Sequence, residues 1–130
     1  MTDPGQIALV GVLILLFKHL VLDFFLQTPY QYQNKGIYGH PGGILHAGLQ
    51  ALGTASVFLW LAPSAALAAA IMIGEFVVHY HVDWTKEQIT KRWHLTANDA
   101  PFWWTLGVDQ FLHGATYLTI VALLLAKKGL

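Results

Sequence analysis

No cysteine occurs in the 130-residue chain, which excludes disulfides, thiolate metal sites and cysteine nucleophiles together and leaves the redox compartment open. Charge is scarce as well: 11% of residues are Asp, Glu, Lys or Arg, less than half the roughly 25% of an ordinary soluble domain. Seven basic residues balance seven acidic ones, so no basic surface for nucleic acid is expected. The opening "MTDPGQ" has no basic n-region, and the apolar run after it is too long for a simple signal-peptide core, so a cleaved leader is not expected. Internal repeats and low-complexity tracts are missing too, and the length suits one compact domain.

What the chain does have is apolar sequence, 55% of it, with five Trp, five Tyr and seven Phe. Several of these aromatics sit at the ends of apolar runs, as an interfacial belt requires. Four apolar segments can be drawn. They run from about Ile7 to Thr28, Gly43 to Ala62, Ser64 to Lys86 and Phe102 to Ala126. Pro29 and Pro63 stop the first two, Ser64 is placed to N-cap the third, and Lys127 and Lys128 close the fourth. Each has about the 20 residues that a helix needs to cross a 30 Å hydrocarbon core. The expectation is an all-α, integral membrane four-helix bundle forming a single domain. A soluble bundle of buried helices is the alternative, but such a sequence leaves too little polar surface to cover it.

The connections differ in kind. "LAPSA" between the second and third segments is so short that those helices form a tight antiparallel hairpin. "PYQYQNKGIYGHPGG" is polar and turn-rich. "KEQITKRWHLTANDAP" is read as a short amphipathic surface helix with Ile89, Trp93 and Leu95 towards lipid.

Ionisable residues interrupt every segment, although a charge at the bilayer centre costs about 2.5–3.5 kcal/mol on insertion scales. His19 and Asp23 stand at i and i+4, as do His79 and Asp83; Asp109 and His113 reverse the order, and His46 is followed four residues on by Gln50. Residues four apart share one face of a helix. With the N-terminus, the short loop and the C-terminus on one side, every pair falls within roughly 5–20 Å of the opposite membrane face. Four helices thus offer one stripe each at one depth, and a single shared site is expected.

Imidazole and carboxylate are ligands for zinc, manganese and iron, and the lack of thiol argues against a purely structural zinc. The candidate metal ligands are His19, Asp23, His46, His79, Asp83, Asp109 and His113. These are too many for one open tetrahedral ion, so either two metals bind or some side chains orient the ligands. A divalent metal is the expected cofactor, zinc first, with manganese or iron as alternatives. Asp83 and Asp109 are candidate catalytic carboxylates, and Lys86, three residues after Asp83, is placed to reach back and hold a substrate anion. The alternative for the His/Asp pairs is a set of interhelical hydrogen bonds that lock the bundle. Glu75 lies one turn before His79, as an orienting group or a deeper proton carrier. Lys18 points off the stripe, towards an ion pair or the interface. His81 faces elsewhere, Gly74 and Gly107 suit close helix packing, and His40 and His94 fall in loops without an expected role.

The succession "HLVLDFFLQT", "NK", a histidine early in helix two, "HVDWTK" and "DQFLH" resembles an uncharacterised family of small bacterial inner-membrane proteins, known as a domain of unknown function. The resemblance covers nearly the whole chain. It carries over to His19, Asp23, Gln27, Thr28, Asn34, Lys35, His46, His79, Asp83, Lys86, Asp109, Gln110 and His113. Where members of the family often place a second histidine on helix two, this chain has Gln50. More loosely, the His-xxx-Asp helices are similar to those of bacterial inner-membrane proteins named as metal-dependent hydrolases. These likenesses imply a multi-pass protein of the bacterial inner membrane.

The functional expectation is a metal-dependent hydrolase of a lipid or lipid-linked substrate that arrives laterally. A metal-ion or proton transporter subunit is a second reading, disfavoured by the apolar far halves such as "TYLTIVALLLA". A non-catalytic subunit or assembly factor of a membrane complex is a third, and di-iron oxygen chemistry ranks last because the acidic ligands are aspartates. Membrane lipid is the expected partner, with a homo-oligomer or larger membrane complex left open. Lys35, Lys86, Lys91 and Arg92 against Lys127 and Lys128 point the site towards the cytoplasm.

Overall fold

The computed structural model describes residues 3–130, and among these every regular element is helical. Helix α1 (Pro4–Leu20) passes into a π-helical turn (Val21–Phe25), then come a short α2 (Pro29–Tyr32), α3 (Pro41–Gly53), α4 (Ala55–Leu61), α5 (Ala65–Arg92) and α6 (Ala100–Ala126). Four stretches are long and apolar enough to cross a membrane: Pro4–Phe25, Pro41–Leu61, Ala65–Arg92 and Ala100–Ala126. They pack in a closed ring, α1 against α3 and α4, α3 against α5, α5 against α6, and α6 back on α1.

Local chemistry accounts for the boundaries. Asp3 caps α1, accepting from the N–H groups of Gly5 and Gln6, with Pro4 in the first turn where its missing N–H costs nothing. Ser64 caps α5 through Leu67 N–H at 3.3 Å. His40, expected to have no role, caps α3 by accepting from Gly42 N–H at 3.0 Å. Between α4 and α5, Ala62 turns the chain with a left-handed φ of 36°.

Three sequence expectations need correction. The first helix does not run straight to Thr28. Leu26 N–H bonds to Val21 C=O at 2.9 Å, the wide spacing of a π turn, and Thr28 is extended because it precedes Pro29. The second span bends at Thr54, whose N–H takes the tight i−3 bond to Ala51 C=O while its hydroxyl turns to Gln50 C=O and the Glu75 carboxylate. The amphipathic loop helix is absent. Nothing between Lys86 and Arg92 breaks a helix, so α5 simply continues, with Ile89 half-buried on it and Trp93 exposed at its end.

The interior is divided by composition. At the end holding the chain termini, Ile7, Leu15, Val57, Leu61, Ile71, Ile120, Val121 and Leu124 form an apolar core. Midway, Lys18 and Glu75 pair at 2.6 Å, both almost wholly buried. The ammonium also donates to Gln50 C=O at 3.1 Å and lies 4.5 Å from the Tyr117 ring centroid. Its stem passes Gly53, where any Cβ would collide with it. Beyond this pair the interior is polar.

Glycine also admits the first loop. A methyl at Gly42 would run into the Tyr30 carbonyl, and one at Gly43 would crowd the Lys35 backbone at 3.1 Å. Gly74 and Gly107, by contrast, have open space where a Cβ would lie, so they do not serve helix packing within the chain.

Gly42→Ala is expected to destabilise the fold by about 1–3 kcal/mol, the scale of overpacking. Gly48→Ala, which meets open space, should shift it by no more than about 1 kcal/mol; thermal melting in detergent compares the two. Replacing Glu75 with Leu should cost about 3–5 kcal/mol by stranding the Lys18 charge, and adding Lys18→Met should recover most of it, read by denaturant titration in mixed micelles.

Candidate metal centre

The polar end of the bundle gathers side chains from every long helix and from the first loop. Asp23 comes from the π turn, His46 from α3, His79 and Asp83 from α5, Asp109 and His113 from α6, all nearly inaccessible to solvent. One potential ligand atom from each of Asp23, His46, His79 and Asp83 falls within a sphere where all lie no more than 4.8 Å apart. Asp83, Asp109 and His113 form a second such group.

In the first group, His46 Nε2 lies 2.9 Å from Asp23 Oδ1, 3.1 Å from Asp83 Oδ2 and 3.1 Å from His79 Nε2. His79 Nε2 is 3.5 Å from Asp83 Oδ2 and 4.0 Å from Asp23 Oδ1. Metal–ligand bonds of 2.0–2.1 Å in a tetrahedron would put the ligand atoms roughly 3.3 Å apart, within the observed spread. Hydrogen bonding alone accounts for this less well, because one Nε2 proton on His46 cannot serve three neighbours at once. The donor set, two imidazoles and two carboxylates, suits zinc, manganese or iron.

Asp83 joins the two groups. Its Oδ2 faces His46 and His79, while its Oδ1 faces His113 Nε2 at 3.2 Å. A carboxylate with its oxygens so divided would offer one atom to each group. The His79 and His113 rings stack at 4.1 Å, so α5 and α6 present their imidazoles side by side.

His19 lies outside both groups. Its Nδ1 faces the Tyr117 hydroxyl at 2.8 Å and its Nε2 faces Gln110 Oε1 at 2.9 Å, leaving Asp23 Oδ2 at 3.5 Å. It steadies Asp23 rather than joining the convergent atoms. Gln50, on the helix-two position in question, donates to Asp23 Oδ1 at 3.4 Å. Gln31 sits 3.4 Å from His46 Nδ1, the partner that fixes a ligating imidazole's orientation. His79 Nδ1 and Asp109 Oδ1 have no hydrogen-bond partner; His113 stands 3.5 Å from the latter without bonding geometry.

Lys35, rather than Lys86, is the lysine on Asp83. Its Nζ reaches Oδ2 at 3.0 Å, carried there by the loop that Gly42 and Gly43 admit. Lys86, three residues on from Asp83, pairs instead with Glu87 at 2.9 Å and is half-buried. It borders the site from outside: a cavity of about 420 Å³ over the centre is lined by Asp23, Gln27, Lys35, Lys86, Asp109 and Gln110, among others. His81 is exposed and bonded to Tyr38 and to Val77 C=O. Sequence reasoning missed Gln31 and Tyr117, and left Lys35 without a position; polarity in a loop and an aromatic in an apolar run carry no depth signal of their own.

Fold and site together define a four-helix bundle with a buried His/Asp centre at one end. The chain belongs to the family described as protein of unknown function (DUF3307), which it matches over residues 12–129. Comparison with curated proteins and with solved structures finds no match.

Burial pushes the Lys35 ammonium down, and the carboxylates of Asp83, Asp23 and Asp109 overcome it, so the group is held above the ordinary lysine value. A raised folded-state pKa means that the pairing stabilises fully below about 10.4, the unfolded value, and is lost as pH rises through the folded one. Lys35→Met should therefore cost metal-free protein about 3–5 kcal/mol at pH 7. The gap from wild type should stay constant to about pH 10 and narrow above it in melts across pH.

Proposed function

We propose that the chain is a multi-pass membrane protein that binds one or two divalent ions at the His/Asp centre and acts as a metal-dependent hydrolase on a lipid or lipid-linked substrate. The observation that carries this reading is the convergence of Asp23, His46, His79 and Asp83 at metal-ligand spacing from separate helices. Its membrane setting rests on the four long apolar helices, the choice of the bacterial inner membrane on the resemblance drawn from the sequence motifs, and its cytoplasmic-facing site on the lysines and arginine near that end. A divalent ion there would supply Lewis-acid charge and activate water for attack on an ester or phosphoester.

The protein's own groups divide the remaining work. Asp83 spans the two ligand groups, and Gln50 donates to Asp23. Asp109 Oδ1, buried and without a donor, is the carboxylate free to take a proton from water. Lys86 and Lys35 border the mouth, where they offset the charge of an anionic substrate. Zinc is favoured among the ions because imidazoles and carboxylates at this spacing suit it, three of the four holding the ion and the remaining position left for water. Transport fits less well, since the core past Lys18 and Glu75 is apolar and offers no onward ligands.

Inductively coupled plasma mass spectrometry on detergent-purified protein is the direct test. Wild type should carry about one to two ions per chain, and a His79→Ala, Asp83→Ala double variant none. A folded wild type that takes up no zinc, manganese or iron would overturn the enzyme reading and leave the cluster as a hydrogen-bonded lock.

A further inference from the structure

Helices α5 and α6 pack on each other yet leave a channel along their outer side. Its deep part is a cavity of about 470 Å³ whose lining includes Leu67, Gly74 and Leu123. Its shallow part is one of about 420 Å³ whose lining includes Ile89 and Trp104. Val82 and Leu112 line both, so the two abut. Each falls within the volume range of ligand sites. The deep walls are mostly apolar, broken by Glu75, Thr116 and Thr119, and at the shallow end Lys86 and Asp109 appear.

Those same two residues also line the polar cavity over the His/Asp centre. An apolar channel and a polar mouth therefore meet at one corner. A soluble anion would have no use for the channel. A partner helix would cover the channel but would leave the polar corner unexplained. An amphiphile occupies both.

We propose that the α5–α6 channel receives the acyl chain of a membrane lipid with an anionic phosphate head, and that the head lies at Lys86 and Asp109 beside the centre. This assignment rests on the metal-enzyme reading and names its substrate class. Charge at the mouth ties the two together. Lys35 and Lys86 face Asp23, Glu87 and Asp109 there, and Asp83 lies 3.0 Å behind Lys35, two positive groups against four negative, a net charge of −2. One divalent ion in the centre cancels that charge. Phosphate is then repelled only when metal is absent, while the apolar channel is indifferent to it.

The test is photo-crosslinking in nanodiscs with phosphatidic acid carrying a diazirine on one acyl chain, beside diacylglycerol carrying the same chain. Labelled peptides are mapped by mass spectrometry, and metal content is measured on the same samples. Phosphatidic acid should concentrate its labels on α5 and α6 residues of the channel. Labelling there should fall about tenfold on chelation, and again in Gly74→Phe or Thr119→Phe, which fill the channel without touching a ligand. Both variants should keep wild-type metal and melting temperature. Diacylglycerol should label the channel no more than exposed apolar residues elsewhere, such as Leu9 and Phe111. Labels from phosphatidic acid spread evenly over the lipid-facing surface, with metal bound, would overturn the channel assignment alone. Loss of metal from wild type would count against the centre, read independently of where the labels fall.

Discussion

Asp83 is the group on which the polar half of the bundle turns. One oxygen faces His46, His79 and Lys35, and the other faces His113, so a single carboxylate ties α3, α5, α6 and the first loop to each other. It is buried deep enough that its charge must be compensated by protein or by a bound cation. The loop that delivers Lys35 depends on glycines at the start of α3, and Asp23 comes from the π turn. Two irregular features of the fold therefore feed this one region.

The second polar layer is of another kind. Lys18, Glu75, Thr54 and Tyr117 satisfy one another in the middle of the bundle, and Tyr117 reaches on to His19. This layer joins the centre to the apolar core without leaving a buried charge exposed to hydrocarbon. It also holds Thr54 and Gly53 where α3 bends into α4. The cost of one charge deep in the bundle is offset by the second, so the pair specifies how α1, α3 and α5 fit rather than adding much net stability.

The helical architecture was legible because hydrophobic length is an unambiguous signal, and the pairs four residues apart on each helix foreshadowed the gathering of Asp23, His46, His79, Asp83, Asp109 and His113. What escaped was whatever periodicity does not encode. His19 obeys the same spacing as His79, yet Tyr117 and Gln110 take up its nitrogens. Lys86 is three residues from Asp83 yet pairs with Glu87, whereas Lys35, 48 residues away, makes the contact. The π turn is a backbone event with no composition signature, and the continuation of α5 was hidden by its polar residues, which end the apolar run but not the helix.

The division of the interior has an electrical consequence. If the bundle spans a bilayer as proposed, its apolar end is the insulator and its polar end is continuous with the water at one face through the mouth above the centre. A transmembrane voltage falls mainly across the insulating part, where about 2.3 kcal/mol per charge and 100 mV would otherwise be at stake. Ions and protons exchanged at the centre move within a region of nearly constant potential. Any chemistry at the centre would thereby be decoupled from the energised state of the membrane, although the bundle itself would lie within it.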